Sequence, residues 1–205
     1  AQILNQNKKF AEAADAYIEA YKRDDHKMEY LQEAAKAYEK AGDYDHAIQY
    51  YRMILENHPE PSLAEYYLLG TAYYSAGTTT GVLSDDPNQD QLRKKEYLTE
   101  ADKTFSNMIG HFPDHYLGYL MRARANFALD PQAEEGLAVP YYTKALEMML
   151  PDVEKRKNDI LESYRYLGFY HLGKNDVTQA KHFWNKVLEY DPADETALQV
   201  IKSLK

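Results

Sequence analysis

The pattern closest to a metal site is "HFPDH", His111 to His115. Two imidazoles and a carboxylate could ligate a transition metal if they shared a surface. Pro113 stands between the histidines, however, and breaks any helix that would set them on one face. They read as turn residues, as does His58, while His171 falls at an apolar-periodic position and reads as a packed histidine. The acidic pairs Asp85-Asp86 and Glu134-Glu135 read as helix starts, where carboxylates meet the positive end of the helix dipole. There is no glycine-rich phosphate loop, nucleophile elbow or zinc-protease helix, so no reaction, metal or cofactor is expected.

Binding is a better prospect than catalysis. Tyr67, Thr71 and Tyr74 are spaced 0, +4 and +7, and so are Leu120, Arg124 and Phe127, and Arg165, Phe169 and Leu172. On helices, such residues share a face. Tyr, Phe and Arg are the side chains enriched in binding hot spots. A more charged set, Gln32, Lys36 and Glu39, occupies the equivalent place near the N-terminus.

Helices must therefore position these residues, and a repeat supplies them. In "AGDYDHAIQYYRMILENHPE" (41–60), Ala47, Tyr51 and Ile54 sit 34 residues after Ala13, Tyr17 and Ala20. The trio of small, aromatic and apolar residues returns at Ala101, Phe105 and Met108, at Ala138, Tyr142 and Ala145, and at Ala180, Trp184 and Val187. Successive spacings of 34, 54, 37 and 42 fit a period of 34 carrying insertions. Each trio marks the second helix of a hairpin. The first helix carries its own stripe, with a small residue (Ala35, Gly70, Ala123, Gly168) where two backbones approach. Gly42 and Gly77, with Asn175 in the last unit, are expected to end first helices in the left-handed conformation.

These residues resemble the tetratricopeptide repeat, most completely in 28–61 and in "YRYLGFYHLGKNDVTQAKHFWNKVLEYDP" (164–192). The resemblance implies an all-α, right-handed superhelix of about five helical hairpins in one domain. Its units are 1–27 (partial), 28–61, 63–115, 116–151 and 152–194, with a capping helix over 193–205. In the first, only the end of a first helix is expected before Lys8. The unit from Leu63 carries an insertion, 78–96, expected as a loop over 78–86 and then a helix from Pro87 to Gly110, started by Asp86. Pro140 is expected in the first turn of a helix, and "PDVEKRKND" lengthens the start of the next.

The resemblance also implies a non-enzymatic module that binds a peptide or partner helix on the face made by the first helices. Candidate contact residues are Tyr67, Thr71, Tyr74, Leu120, Arg124, Phe127, Arg165 and Phe169. Two arrangements fit them: an open groove, or aromatics packed on one another or under the insertion. Glycan binding on a tyrosine-rich groove is the alternative. Co-chaperones of the family grip acidic heat-shock-protein tails with a basic clamp; the matching positions hold Gln32, Lys36, Leu68, Leu117 and Met121, so that role is not expected.

Composition agrees with a protein partner. There are 205 residues, 44% hydrophobic, with 20 Tyr and 1 Trp and a net charge of -9. An acidic balance disfavours binding to phosphate backbones. No apolar run is long enough to span a membrane, and with no cysteine there is neither a disulfide nor a thiolate site. The chain opens on Ala1 within a helical pattern, as a fragment of a longer protein would. The texture of "LDPQAEEGLAVPYYTKALEMM" (129–149) is similar to tetratricopeptide proteins of the bacterial cell envelope.

Overall fold

Two glycines seat large aromatic rings between helices. In the computed structural model, which describes residues 2–79, 81 and 84–204 and side chains from Lys8 onward, a Cβ on Gly70 would enter the Phe105 ring. One on Gly168 would lie 2.7 Å from the Trp184 indole nitrogen. Each glycine thus admits the large member of a trio against a neighbouring helix.

The elements are α1 (Gln2–Arg23), α2 (Met28–Ala41), α3 (Tyr44–Asn57), α4 (Leu63–Thr78) and α5 (Pro87–His111). Then follow α6 (Tyr116–Leu129), α7 (Val139–Met149), a 3₁₀ turn (Leu150–Asp152), α8 (Val153–Gly173), α9 (Val177–Tyr190) and α10 (Glu195–Ser203). No strand occurs among the described residues. The chain divides into two compact units, Ala1–His111 and Phe112–Lys205. Within each, successive helices pack as neighbours, as short connections require.

Side chains start the helices where their spacing suggests. Asp43 accepts from the His46 N–H (3.2 Å), Asp176 from Gln179 (3.1 Å) and Asp194 from Ala197 (2.7 Å). Ser62 and Glu65 form a reciprocal capping box at α4. Gly42 ends α2 at φ +78°, and Asn175 follows α8 at φ +58°.

The insertion takes the expected form in part. Asp86 accepts from the Asn88 N–H at 2.9 Å and starts α5, which runs unbroken to His111. Of the loop expected over 78–86, Thr80, Val82 and Leu83 lie outside the described residues. The lengthened start of α5 reaches α3, where the Arg93 guanidinium and the Tyr97 hydroxyl both donate to Asp45. Burial works to raise the Asp45 pKa, but these two donors outweigh it and hold the carboxyl below its usual value.

Three local expectations are corrected. Gly77 is no left-handed cap: it lies inside α4, and a Cβ there would sit 2.6 Å from the Leu98 side chain, so it serves close packing. No turn separates two helices near Lys8, because α1 is one continuous 22-residue helix; neither proline nor glycine interrupts it. Glu134 and Glu135 do not start a helix. Their N–H groups donate to the buried Asp130 carboxylate at 2.8 and 3.0 Å, as does that of Gly136 at 2.8 Å, and α7 begins only at Val139. Pro140 sits in the first turn of α7 as expected.

Candidate functional site

Helix α8 carries Arg165, Phe169 and Leu172 along one side, and in the unit Phe112–Lys205 they open onto a groove of about 590 Å³. Phe127 of α6 stands among the lining residues, with Tyr142 of α7, Trp184 of α9 and Val200 of α10. Glu162, Asn158 and Thr196 add polar groups. Phe127 and Phe169 are 37% and 39% exposed, far more than core aromatics such as Trp184 at 4%. They are the most exposed rings of the lining.

The rings do not form a flat platform. Phe127 meets Tyr166 edge-on, with centroids 5.1 Å apart and planes at 66°; Tyr142 and Tyr166 lie 4.7 Å apart at 33°. Two buried polar atoms in this lining, the Tyr166 hydroxyl and the Trp184 indole nitrogen, have no hydrogen-bond partner among the described residues. Burial pushes the Tyr166 phenol up to about 12; the Ala138 backbone pulls the other way without reaching bonding geometry. Most buried polar groups in proteins are satisfied, so two exceptions in one groove set it apart.

Two arginines make ion pairs here, Arg165 in the lining and Arg124 behind it. Arg124 donates from Nε to Glu162 Oε1 (2.8 Å) and from Nη2 to Glu162 Oε2 (2.6 Å) and Asp159 Oδ1 (3.0 Å). Tyr142 donates to the same Glu162 at 2.9 Å. The hydrogen bonds to Glu162 raise the Arg124 pKa above its usual value despite burial. Arg165 donates from Nε to Asp194 Oδ2 at 2.9 Å, and its Nη2 lies 3.9 Å from Asp191. For Asp194, burial works to raise the pKa; the Ala197 N–H and Arg165 overcome it and hold the carboxyl below its usual value.

The structure thus brings Phe127, Arg165 and Phe169 together. Arg124 stands behind Glu162 as a tie between α6 and α8. Leu120 is corrected from contact residue to core: it is wholly buried, in the cluster with Tyr142 and Ile160, because α6 is apolar on more than one face and its spacing does not single out the outer one. Tyr67, Thr71 and Tyr74 form a half-buried stripe of their own on α4, in the unit Ala1–His111. The Thr71 hydroxyl bonds back to the Tyr67 carbonyl at 2.8 Å. Sequence reasoning missed Tyr166, Glu162 and Val200 as lining residues. A run of aromatics either side of Gly168 was the available signal.

The unit Ala1–His111 has a cleft of about 440 Å³ between α3 and the helices after it, lined by Asp45, Arg52, Glu56, Tyr73 and Tyr97. Arg52 donates to the Tyr73 hydroxyl there. The "HFPDH" histidines are separately engaged: His111 packs on Tyr66 with centroids 5.1 Å apart, and His115 Nδ1 accepts from the Leu117 N–H at 3.3 Å. Among the described residues, no cluster of three or more His, Asp or Glu could hold a metal. No described helix is long and apolar enough to cross a membrane.

The tetratricopeptide-repeat sequence model matches residues 28–72. No curated protein sequence matches the chain. Among solved structures, MamA aligns with a TM-score of 0.63 at 20% identity, over 89% of each chain. A thermophilic tetratricopeptide-repeat protein of Thermus thermophilus gives 0.55 at 20% identity, over 99% of this chain and 97% of that one. The C-terminal part of a repeat-containing protein of Cytophaga hutchinsonii gives 0.50 at 22% identity, over 97% of both. At such identities the likeness speaks for fold alone. Paired helices, glycine-seated aromatics and these alignments agree that the chain has the tetratricopeptide-repeat fold, with residues 28–72 matching the family's own repeat.

Proposed function

We propose that the chain is a non-enzymatic interaction module that holds a segment of a partner protein in the groove of Phe127, Arg165 and Phe169. One observation carries the reading: two part-exposed phenylalanines open onto a largely apolar groove. Folding alone gives no reason to retain such a surface, whereas a partner's side chain would fill it. Tilted rings favour a peptide over a glycan, since stacking on sugar faces needs exposed, coplanar rings. The amide of Asn158 and the hydroxyl of Thr196 beside the groove suit a peptide backbone.

The test is selection of peptides from a displayed library against the intact chain, followed by titration into Phe169→Ala and Phe127→Ala. Each truncation should weaken the selected peptides by about 2 kcal/mol or more, as loss of a hot spot does. Peptides that bind both variants as they bind the parent would move the site elsewhere. An oligosaccharide array that yields ligands where the library yields none would favour the glycan.

A further inference from the structure

Two of the helices that line the groove are unequally held. Helix α8 carries Arg165, Phe169 and Leu172 into the lining and buries Ile160, Leu161, Tyr164 and Leu167 in the core. Helix α10 supplies Thr196 and Val200, yet over its nine residues only Ala197 is wholly buried, and Leu198 is 49% exposed. A helix of that length is marginal on its own, so its place depends on what ties it down. Val200, Ile201 and Leu204 give a partly buried apolar contact. The directional tie is Asp194. Its Oδ1 accepts from the Ala197 N–H at 2.7 Å and starts α10, while its Oδ2 accepts from Arg165 Nε of α8 at 2.9 Å. One carboxylate, 7% accessible, thus fixes where α10 begins and joins that point to a side chain of the groove.

We propose, resting on the peptide reading above, that Asp194 is a positioning residue of the site: its pair with Arg165 holds α10 as a movable wall of the groove. Loss of the pair leaves the apolar contact in place but lets α10 swing about the turn closed by the Asp194 N–H on the Asp191 carbonyl (3.1 Å). A segment that touches Thr196 and Val200 meets them only while the wall is docked. Binding and docking are then coupled in both directions: a docked wall favours the occupant, and the occupant quiets α10. Helix α8 needs no such device, because its buried side chains already fix Phe169 against the core.

Amide exchange of the intact chain, read by mass spectrometry, tests the wall without any ligand. Amides across 198–203 should exchange faster than those across 160–172. Asp194→Asn keeps an oxygen for the Ala197 N–H but loses the charge, and should speed exchange across 198–203 by about threefold or more while leaving 160–172 unchanged. Faster exchange in both segments would make Asp194 a residue of overall stability, and no change in either would remove the tie; each outcome overturns the proposal. If Asp194→Asn fails to fold, Arg165→Gln serves in the same measurement. Peptides selected against the parent complete the test. One present at about ten times its Kd should slow exchange across 198–203 by about tenfold, and should bind Asp194→Asn about threefold or more weakly. Protection confined to 160–172 would keep the groove as a peptide site and remove α10 from it. Absence of any bound peptide would overturn the peptide reading and the wall's part in it, an outcome distinct from a failure of the tie in the free chain.

Discussion

Gly70 with Phe105 and Gly168 with Trp184 are the same joint made twice, once in each unit, yet the tyrosines around them are treated differently. In Ala1–His111, polar ring tips are tied down. Tyr38 donates to Asp15 and Tyr51 to Glu39, both at 2.8 Å; Tyr97 donates to Asp45, and Tyr73 accepts from Arg52. In Phe112–Lys205, Tyr142 is tied to Glu162, but Tyr166 and Trp184 are left without partners beside an apolar groove. The repeat fixes where a ring goes. Whether its buried tip finds a hydrogen-bond partner is decided separately, by what the neighbouring helices bring to it.

The largest test of this contrast is removal of the rings at the two joints. Phe105→Ala and Trp184→Ala should each cost about 3–5 kcal/mol in urea unfolding, since both side chains are almost wholly buried. Trp184→Ala should also abolish binding of selected peptides, while folded Phe105→Ala should retain it. A cost below about 1 kcal/mol for Trp184→Ala would show that the second joint is not core.

Deleting single hydroxyls sharpens the comparison. Tyr51→Phe leaves the half-buried Glu39 without its donor and should cost about 1–2 kcal/mol. Tyr166→Phe removes a hydroxyl that has no partner, and stability should stay level or rise by up to about 1 kcal/mol. Equal losses in the two variants would mean that Tyr166 has a partner after all.

Acid should separate two carboxylates in opposite senses. Burial raises the Glu39 pKa, partly opposed by Tyr51, so this group favours the folded state increasingly as pH falls from neutral through its raised value. The Asp194 pKa is lowered, so its contribution is complete above the unfolded value of roughly 3.9 and is lost as pH falls through the folded one. Asp194→Ala should therefore cost about 1–2 kcal/mol at neutral pH, as loss of an N-cap does, and much less below roughly pH 3. A cost independent of pH, in urea midpoints of the parent and the variant, would remove the carboxylate from the account.

The smallest effect on stability is expected at the groove lip. Phe169→Ala should change unfolding by about 1 kcal/mol or less, because its ring is only partly covered. A loss comparable to that of Trp184→Ala would make it core and remove the groove's main anchor.

The sequence revealed most of the helices and less of the site, for physical reasons. Trios such as Ala180, Trp184 and Val187 are local, since helix periodicity writes packing into spacings of three and four. Asp86-Pro87 and Pro140 marked helix starts because they act through the backbone beside them. Gly77 misled because one glycine near a helix end suits either a left-handed cap or a close contact, and only the position of Leu98 decides. Arg124 misled because its partners, 35 and 38 residues away, obey no spacing rule. Tyr166 was invisible as a site residue because the pattern that buries a ring says nothing of what meets its oxygen.

The reach of α5 bears on how the first unit comes apart. A stack of repeats melts nearly as a one-dimensional array, each hairpin coupled to its neighbour and free to fray from an end. Arg93 and Tyr97, gripping Asp45 at the start of α3, add a bond that steps over α4. Opening the α2–α3 hairpin then entails releasing α5, so amides across α3 and α5 should exchange as one cooperative block. Asp45→Ala would uncouple them into two.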